Sequence, residues 1–220
     1  MPRSASPVSG RSPAARIRRS AGARTTAPAT VTLRRSLSAR QQARRQRIVD
    51  AATALAAEGG YDAVMMKDVA SRAGVALGTL YRYFASKDHL LAESLFVWGS
   101  ALGLRLRQSP PRGATPGERV AAVFRRMARG VAEQPELGVA LTRALLSCDP
   151  SAFANRSGLS EMMRGWIELA LGGASVRDRD GVVGVLEHVC FSCMISLVQG
   201  HRTPREVGDE LARTARLLLG

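Results

Sequence analysis

Apolar side chains recur along most of the chain at intervals of three and four residues, the spacing that places them on one face of an α-helix. Two short segments of this kind meet at a turn in the stretch MKDVASRAGVALGTLYRYFASKDHL, residues 66–90. The first segment ends near Gly74, and the second is predicted to run from Leu77 to Phe84. This pattern indicates a helix-turn-helix, a motif whose second helix lies in the major groove of DNA.

The second of these helices is predicted to have a packed face and an outward face. Leu77, Leu80 and Phe84 fall together at the helical period, whereas Gly78 and Arg82 point the opposite way. An arginine fork suits a guanine edge or a phosphate, and a glycine lets the helix backbone approach a groove closely. The residues predicted here to contact DNA are Gly78, Thr79, Tyr81, Arg82, Tyr83 and Lys87.

Pattern alone leaves open an ordinary pair of core helices with Arg82 in solvent. The run GTLYRYFASKDHLL, residues 78–91, resembles the recognition-helix signature of the TetR family of bacterial transcriptional regulators. The resemblance implies a head of three helices that binds DNA, a body that binds a small ligand, and a symmetric dimer formed by the last two helices. It also places the start of the first helix near the DNA backbone, which adds Arg44 and Arg45 to the predicted contacts. Lys67, in the first of the two short helices, is also predicted to contact DNA. For the two arginines, a solvated basic face is the alternative.

Two further segments carry a narrower resemblance. GGYDAV (residues 59–64) and PELGVALTRALLSCDPSA (residues 135–152) most resemble the actinobacterial repressors of cholesterol and lipid catabolism. One head offers few base contacts, so the expected partner is double-stranded palindromic operator DNA bound by a homodimer. The expected trigger is a small apolar ligand that releases the DNA, and the narrower resemblance implies a fatty-acyl or sterol-derived coenzyme A thioester.

Start and stop signals divide the remaining chain into helices. Ser38, Thr115 and Thr203 are each followed three residues later by Gln or Glu, the spacing of a capping box. Further helices are predicted over about 87–107, 136–147, 159–171 and 175–199, with a loop at 149–158. No segment has the alternation of a strand, so the predicted class is all-α. The predicted divisions are a disordered Arg-rich tail (1–35), a helix-turn-helix domain (36–86) and a helical ligand-binding and dimerisation domain (87–220).

Positive charge is concentrated near the start of the chain. The net charge is +14, and residues 1–49 contain twelve arginines without a single Asp or Glu. Such a segment adds phosphate attraction that carries no sequence information. It therefore supports a rival function, an architectural DNA-binding protein that uses the basic tail and recognises no sequence. An organellar transit peptide or a twin-arginine signal at Arg18 and Arg19 is disfavoured, because no apolar segment follows.

Other chemistry is weakly represented. Three cysteines do not suggest a secreted disulfide framework, so a cytoplasmic protein is expected. Cys190 and Cys193 have the spacing of redox and metal motifs, but they fall on an apolar helical stripe and are predicted to be buried and inert. No catalytic, metal-binding or cofactor motif is recognised, and therefore no enzyme activity or cofactor is expected. No apolar run approaches the roughly 20 residues of a membrane span, so no membrane partner is expected.

Two groups of residues in the body are candidates for binding. Methionine and aromatic side chains on the middle helices would form an adaptable apolar pocket, although such stripes are more often plain core. The last two helices carry apolar stripes suited to a symmetric bundle. The predicted ligand-binding residues are Phe124, Met127, Leu141, Leu145, Met162 and Trp166. The predicted dimer-interface residues are Leu186, Val189, Cys193, Leu197, Val207, Leu211 and Leu218.

Overall fold

The computed structural model describes residues 37–220, except for the side chains of residues 153–157. All secondary-structure elements in this part of the chain are α-helices, which confirms the predicted all-α class. The predicted tail, residues 1–35, lies outside the described residues. The helices are α1 (Ala39–Ala63), α2 (Met66–Arg72), α3 (Leu77–Tyr83), α4 (Lys87–Gln108), α5 (Pro116–Glu133), α6 (Pro135–Leu146), α7 (Pro150–Leu171), α8 (Arg179–Val198) and α9 (Pro204–Leu219).

Side-chain caps begin the helices where the sequence predicts them. Ser38, Thr115 and Thr203 each accept a hydrogen bond from the backbone N–H three residues later, and the Gln or Glu at that position bonds back to the cap. These reciprocal bonds satisfy N–H groups that have no partner within the helix. All three predicted capping boxes are therefore confirmed.

Two predicted boundaries are wrong. Residues 149–158 do not form a loop, because α7 begins at Pro150 and continues to Leu171. The Asp149 carboxylate accepts the Ser151 N–H at 2.8 Å, and a proline at the first helical position needs no hydrogen-bond partner for its nitrogen. Similarly, α8 begins at Arg179 because the side chain of Asp178, not that of Ser175, caps it. Both segments contain turn-forming residues that start a helix.

The described chain contains two apolar cores that share the helix α4. One core joins α1, α2 and α3 to the start of α4 and to one face of α6. The other joins the remainder of α4 to α5, α7, α8 and α9. The long helix α4 takes part in both cores, since Leu90 belongs to the first and Leu106 to the second. The helix-turn-helix is therefore fixed to the body through α4 and α6.

Helix α8 is apolar around most of its circumference. Among the described residues, this helix alone is long and apolar enough to cross a membrane, with a mean hydropathy of 1.9 over its most apolar window. The expectation that no segment approaches this length and composition was therefore wrong. Leu186, Cys190 and Cys193 pack into the body core, which explains part of the apolar character. Other apolar side chains of α8, among them Val185 and Phe191, are exposed.

Candidate functional site

The second helix of the predicted motif, α3, exposes the face that was expected to contact DNA. Leu80 and Phe84 are completely buried, whereas Gly78, Tyr81 and Arg82 are exposed. Thr79 and Tyr83, which are four residues apart, are partly buried along one edge of the same face. Leu77 does not follow the prediction, because 41% of its surface remains exposed at the first position of the helix. The outward face thus combines a guanidinium, a phenol and a glycine with one exposed leucine.

A glycine forms the turn that aims α3. Gly74 follows the end of α2 with a φ of 63°, and the Val75 N–H donates to the Ala70 carbonyl at 3.0 Å. A left-handed conformation of this kind is strained for residues that carry a Cβ. A residue with a Cβ at position 74 would therefore strain the turn between α2 and α3.

Not all of the predicted DNA-contacting cations are available. Arg44 and Lys67 are exposed. Arg45, in contrast, pairs with the carboxylate of Glu93 on α4 at 2.8 Å, and their side chains are 13% and 0% exposed. Its guanidinium also lies 4.9 Å from the centre of the Phe84 ring. Arg45 is thus an internal connection between α1, α3 and α4, and the prediction that it contacts phosphate is corrected.

Lys87 also makes an internal contact, at a junction built around Tyr61. Its ammonium donates to the Tyr61 carbonyl at 3.1 Å and lies 3.9 Å from the centre of the Tyr61 ring. The guanidinium of Arg143, on α6, lies 4.1 Å from the same ring centre and pairs with Asp62 at 3.3 Å. The ring of Tyr61 thus contacts two cations, one from α4 and one from α6.

Asp88 completes this junction between the head and the body. The Tyr61 hydroxyl donates to one oxygen of its carboxylate at 2.5 Å, and the Ser147 hydroxyl donates to the other. Burial, followed by the hydrogen bond to Asp88, raises the pKa of Tyr61 to about 12. Tyr61 therefore remains a neutral donor at physiological pH, and the bond persists. We call Tyr61, Lys87, Asp88, Arg143 and Ser147 the junction cluster.

A cavity of about 430 Å³ lies in the body between α4, α5, α6, α7 and α8. Of the six residues predicted to bind a ligand, Met127, Leu141, Leu145, Met162 and Trp166 line it. Phe124 does not, because it is completely buried in the body core on the same helix as Met127. Trp98, Met163 and Met194 also line the cavity, although the sequence pattern did not single them out for ligand binding. Because these residues lie on separate helices, their positions in the sequence do not indicate that they come together.

Glycines allow the two tryptophans to form part of the cavity wall. A Cβ added at Gly103 would lie 2.7 Å from the Trp166 ring nitrogen, and one at Gly130 would lie 2.8 Å from the Trp98 ring. A Cβ at Gly99 would collide with the end of Met162. The helices approach so closely here that the bulky side chains lie directly against glycine backbone. A small increase in side-chain size at these glycines would change the cavity.

Polar groups are sparse in the cavity and carry little positive charge. Among the residues with described side chains, no lysine or arginine lines it. The Thr142 hydroxyl is already used in a 2.8 Å bond to the Gly138 carbonyl. The Glu187 carboxylate accepts from Ser160 at 3.4 Å, and the His188 ring bonds the Gly184 carbonyl at 2.6 Å. This lining favours an apolar or neutral guest over a free carboxylate.

The cysteine pair does not form a reactive site. Cys190 and Cys193 are both buried and free, as predicted. Burial raises the pKa of the Cys190 thiol to about 12, so the nucleophilic thiolate is not populated at neutral pH. Among the described residues, no group of His, Cys, Asp and Glu side chains could hold a metal ion.

Most of the predicted dimer-interface residues are buried in the body core and do not lie on the surface. Val189 is only partly buried, and Leu218 is 39% exposed. The other members of the set are buried in the body core of a single chain. The buried members are Leu186, Cys193, Leu197, Val207 and Leu211.

Together, an exposed helix-turn-helix at one end of a helical chain and an apolar cavity in its body define a ligand-responsive class of DNA-binding regulator. Comparison with known proteins identifies the family. Residues 48–94 match the bacterial regulatory proteins of the tetR family, and residues 113–218 match the tetracyclin repressor-like C-terminal domain. The chain belongs to the TetR family of transcriptional regulators.

Curated relatives in this family are named as repressors. The chain is 35% identical to the HTH-type transcriptional repressor KstR of Mycobacterium tuberculosis over 82% of each chain. It is 36% identical to KstR of Rhodococcus jostii over 82% of this chain and 84% of that one. A solved TetR regulator from Rhodococcus sp. RHA1 superposes with a TM-score of 0.72 at 28% identity, covering 81% of this chain and 97% of that chain.

A more distant structure shares the fold. Thermus thermophilus FadR, solved in complex with lauroyl-CoA, superposes with a TM-score of 0.63 at 24% identity. The superposition covers 79% of this chain and 92% of that chain.

Proposed function

We propose that the chain is a repressor that binds a palindromic operator as a homodimer and leaves it when a small apolar ligand occupies the cavity. The observation that carries this proposal is the position of α6. Leu137 and Leu141 belong to the core of the DNA-binding head and also line the cavity. A ligand in the body would therefore touch the same side chains that support the head.

Operator recognition is assigned to α3. Arg82 is exposed on the outward face, beside Gly78, where a Cβ would meet nothing within 4 Å. An arginine in this position can donate two hydrogen bonds to a guanine in the major groove. The exposed cations Arg44 and Lys67 would add phosphate contacts that set affinity without reading sequence.

Arg82→Ala tests this assignment against a duplex enriched from a random library by the unaltered protein. The variant should bind about tenfold to one-hundredfold more weakly and should lose its preference at one base pair in each half-site. Arg105→Ala, at an exposed position of α4, is the matched control and should bind normally. Failure of the unaltered protein to enrich any sequence, with salt-dependent binding to all duplexes, would favour the architectural function.

The ligand is assigned to an apolar class by the cavity lining. Methionines at positions 127, 162, 163 and 194 supply flexible apolar surface that adapts to a long or irregular guest. The scarcity of cationic groups inside fits the uncharged acyl part of a thioester, with the charged carrier outside the cavity. A fatty-acyl or sterol-derived coenzyme A thioester is therefore our first choice. The lauroyl-CoA bound by T. thermophilus FadR, which shares the fold, supports this choice.

A ligand moves the equilibrium only through a difference in affinity between the two states. Shifting the population from about 99% DNA-competent to about 1% requires a preference of about 10⁴-fold for the incompetent state. Displacement of Leu137 and Leu141 by the guest would supply this difference, because the same motion repacks the head core. Burial of an apolar tail contributes about 25 cal/mol for each Å² removed from water.

Intrinsic fluorescence gives a direct assay of cavity occupancy. The chain has two tryptophans, Trp98 and Trp166, and both line the cavity. Titration with acyl-CoA thioesters, sterol-derived thioesters and free fatty acids should change the emission and release operator DNA for the thioesters only. Leu145→Phe should fill part of the cavity and weaken both effects, whereas Leu146→Phe, outside the lining, should not. Release by a polar sugar or antibiotic, and not by any lipid, would disprove the ligand class.

A further inference from the structure

Leu77 is a large apolar residue that the fold leaves in solvent on the DNA-facing helix. The helical period groups it with Leu80 and Phe84, which are completely buried, yet Leu77 is 41% exposed. Side chains of an α-helix lean towards its N-terminus. Because Leu77 begins α3 one turn before Leu80, its side chain extends beyond the part of α3 that packs against the head. Its exposure therefore follows from its position in the helix.

The surroundings of Leu77 also favour contact with another molecule. Nine large apolar side chains are exposed in the described part of the chain, and the seven-residue helix α3 holds two of them, Leu77 and Tyr81. These two are four residues apart and so lie on the same flank. Beside them, a Cβ at Gly78 would meet nothing within 4 Å. A groove edge can thus approach the leucine without obstruction.

Chemistry restricts what Leu77 can recognise there. Its side chain has no hydrogen-bond donor or acceptor, and the major groove offers one apolar base group, the C5 methyl of thymine. We propose that Leu77 selects a thymine in each half-site by packing against that methyl. This inference rests on the proposed operator binding and adds a specificity-determining residue that works by apolar contact, beside the polar contact of Arg82.

Replacement of thymine by uracil removes the methyl and leaves base pairing intact, which isolates the proposed contact. Starting from a duplex enriched by the unaltered protein, each thymine is replaced in turn, and the dissociation constants are measured. One symmetry-related thymine in each half-site should show a loss of about fourfold, the factor that corresponds to burial of one methyl-sized group. Leu77→Ala should bind the thymine and uracil duplexes equally at that position.

Two controls distinguish a specific contact from a general effect. Leu104→Ala changes an exposed leucine on α4, outside the head, and should keep the full response to uracil. Leu77→Met keeps an apolar side chain of similar length and should keep most of the response to uracil. If Leu77→Ala responds to uracil as the unaltered protein does, or if no thymine shows a response, the inference is overturned while operator binding stands. If no duplex is enriched, the proposed function fails and this inference fails with it.

Discussion

At the scale of single residues, burial decides which charged groups serve the fold and which remain for a partner. Arg44 and Arg45 are neighbours in a basic run, and the sequence offers no means of separating them. The structure does, because only Arg45 is directed at the buried carboxylate of Glu93. Loss of one member of such a pair leaves an unpaired buried charge, which costs about 3–5 kcal/mol. Arg45 therefore stabilises the attachment of the head to α4.

His89 is the titratable residue at this attachment from which we expect a pH dependence. Burial, and secondly the charge of Arg45, lower its pKa below the usual 6.5, with Asp149 acting in the opposite direction. The unfolded chain then binds a proton more readily than the folded chain. The free energy of unfolding should fall as the pH drops below the usual value and should be unaffected well above it.

Chemical denaturation at about pH 7.5 and about pH 5.5 measures this effect. His89→Gln should flatten the pH dependence, whereas His201→Gln, at an exposed position, should leave it unchanged. Equal slopes for the unaltered protein and His89→Gln would show that His89 titrates normally in the folded state.

The same scale shows the limit of helical periodicity. Periodicity correctly predicted that Leu80 and Phe84 are buried, because other parts of the head cover both side chains completely. It was wrong for Leu77, since periodicity gives the direction of a side chain but not where the packed surface ends. Phe124 illustrates the complementary case: its type and its helix suit a pocket, yet only the assembled helices show that it faces the core.

At the scale of elements, α6 connects the two proposed activities, ligand binding in the cavity and DNA binding by the head. One face lines the cavity through Leu141 and Leu145, and Arg143 on another face contacts the ring of Tyr61 at 4.1 Å and Asp62 at 3.3 Å. The junction cluster then continues from Tyr61 through Asp88 to Ser147, just beyond the end of α6. Movement of α6 can therefore change the position of the head through contacts at both sides of Tyr61.

Arg143→Gln should weaken the coupling between ligand and DNA and leave each binding event intact. Its ion pair is exposed and contributes little, so the contact with the aromatic ring dominates at about 1 kcal/mol, or about fivefold. The ligand should accordingly weaken operator affinity about fivefold less in the variant than in the unaltered protein. Fluorescence anisotropy of labelled operator, with and without saturating ligand, measures the ratio.

Arg125→Gln is the control for this change, since Arg125 is exposed on α5 and makes none of the junction contacts. An unchanged ratio in Arg143→Gln would place the transmission in the apolar contacts of Leu137 and Leu141 instead.

Helix boundaries were predictable where caps act locally. Thr115, with proline next in the chain and Glu118 in the first turn, specifies a helix start within four residues. Asp149 and Pro150 are residue types that also form turns. Whether they begin a helix depends on whether apolar residues further along the chain pack against other helices. Trp166 and Ile167 do pack against α4 and α5, so the helix extends back to Pro150. Tertiary packing thus overruled a local signal.

At the scale of the whole molecule, the apolar surface left on α8 and α9 determines how two copies would meet. Val185 is 47% exposed on α8 and Leu217 is 79% exposed on α9. The predicted stripe through Leu186 and Leu211 is used inside each chain. The proposed homodimer would therefore form through the opposite sides of these helices. The assignment of the dimer to α8 and α9 remains a prediction, with the contact residues revised.

Val185→Glu tests the revised interface. The buried charge opposite a second copy should convert a dimer to a folded monomer, and operator affinity should fall by at least tenfold because only one head binds. Light scattering coupled to size exclusion gives the mass, and far-ultraviolet circular dichroism verifies the fold. Leu104→Glu, exposed on α4, should remain dimeric. A monomeric unaltered protein, or a dimer that tolerates Val185→Glu, would exclude this interface.

The cavity and the core of the head share the side chains of Leu137 and Leu141, and this limits how a biosensor could be built from this scaffold. Changing the recognised metabolite means mutating the cavity, but Leu137 and Leu141 also hold the head together, so replacing them would degrade the output along with the input. Met162, Met163 and Met194 line the cavity from the body side and lie outside the head core. A library restricted to these methionines would vary the detected molecule and preserve the DNA-binding head.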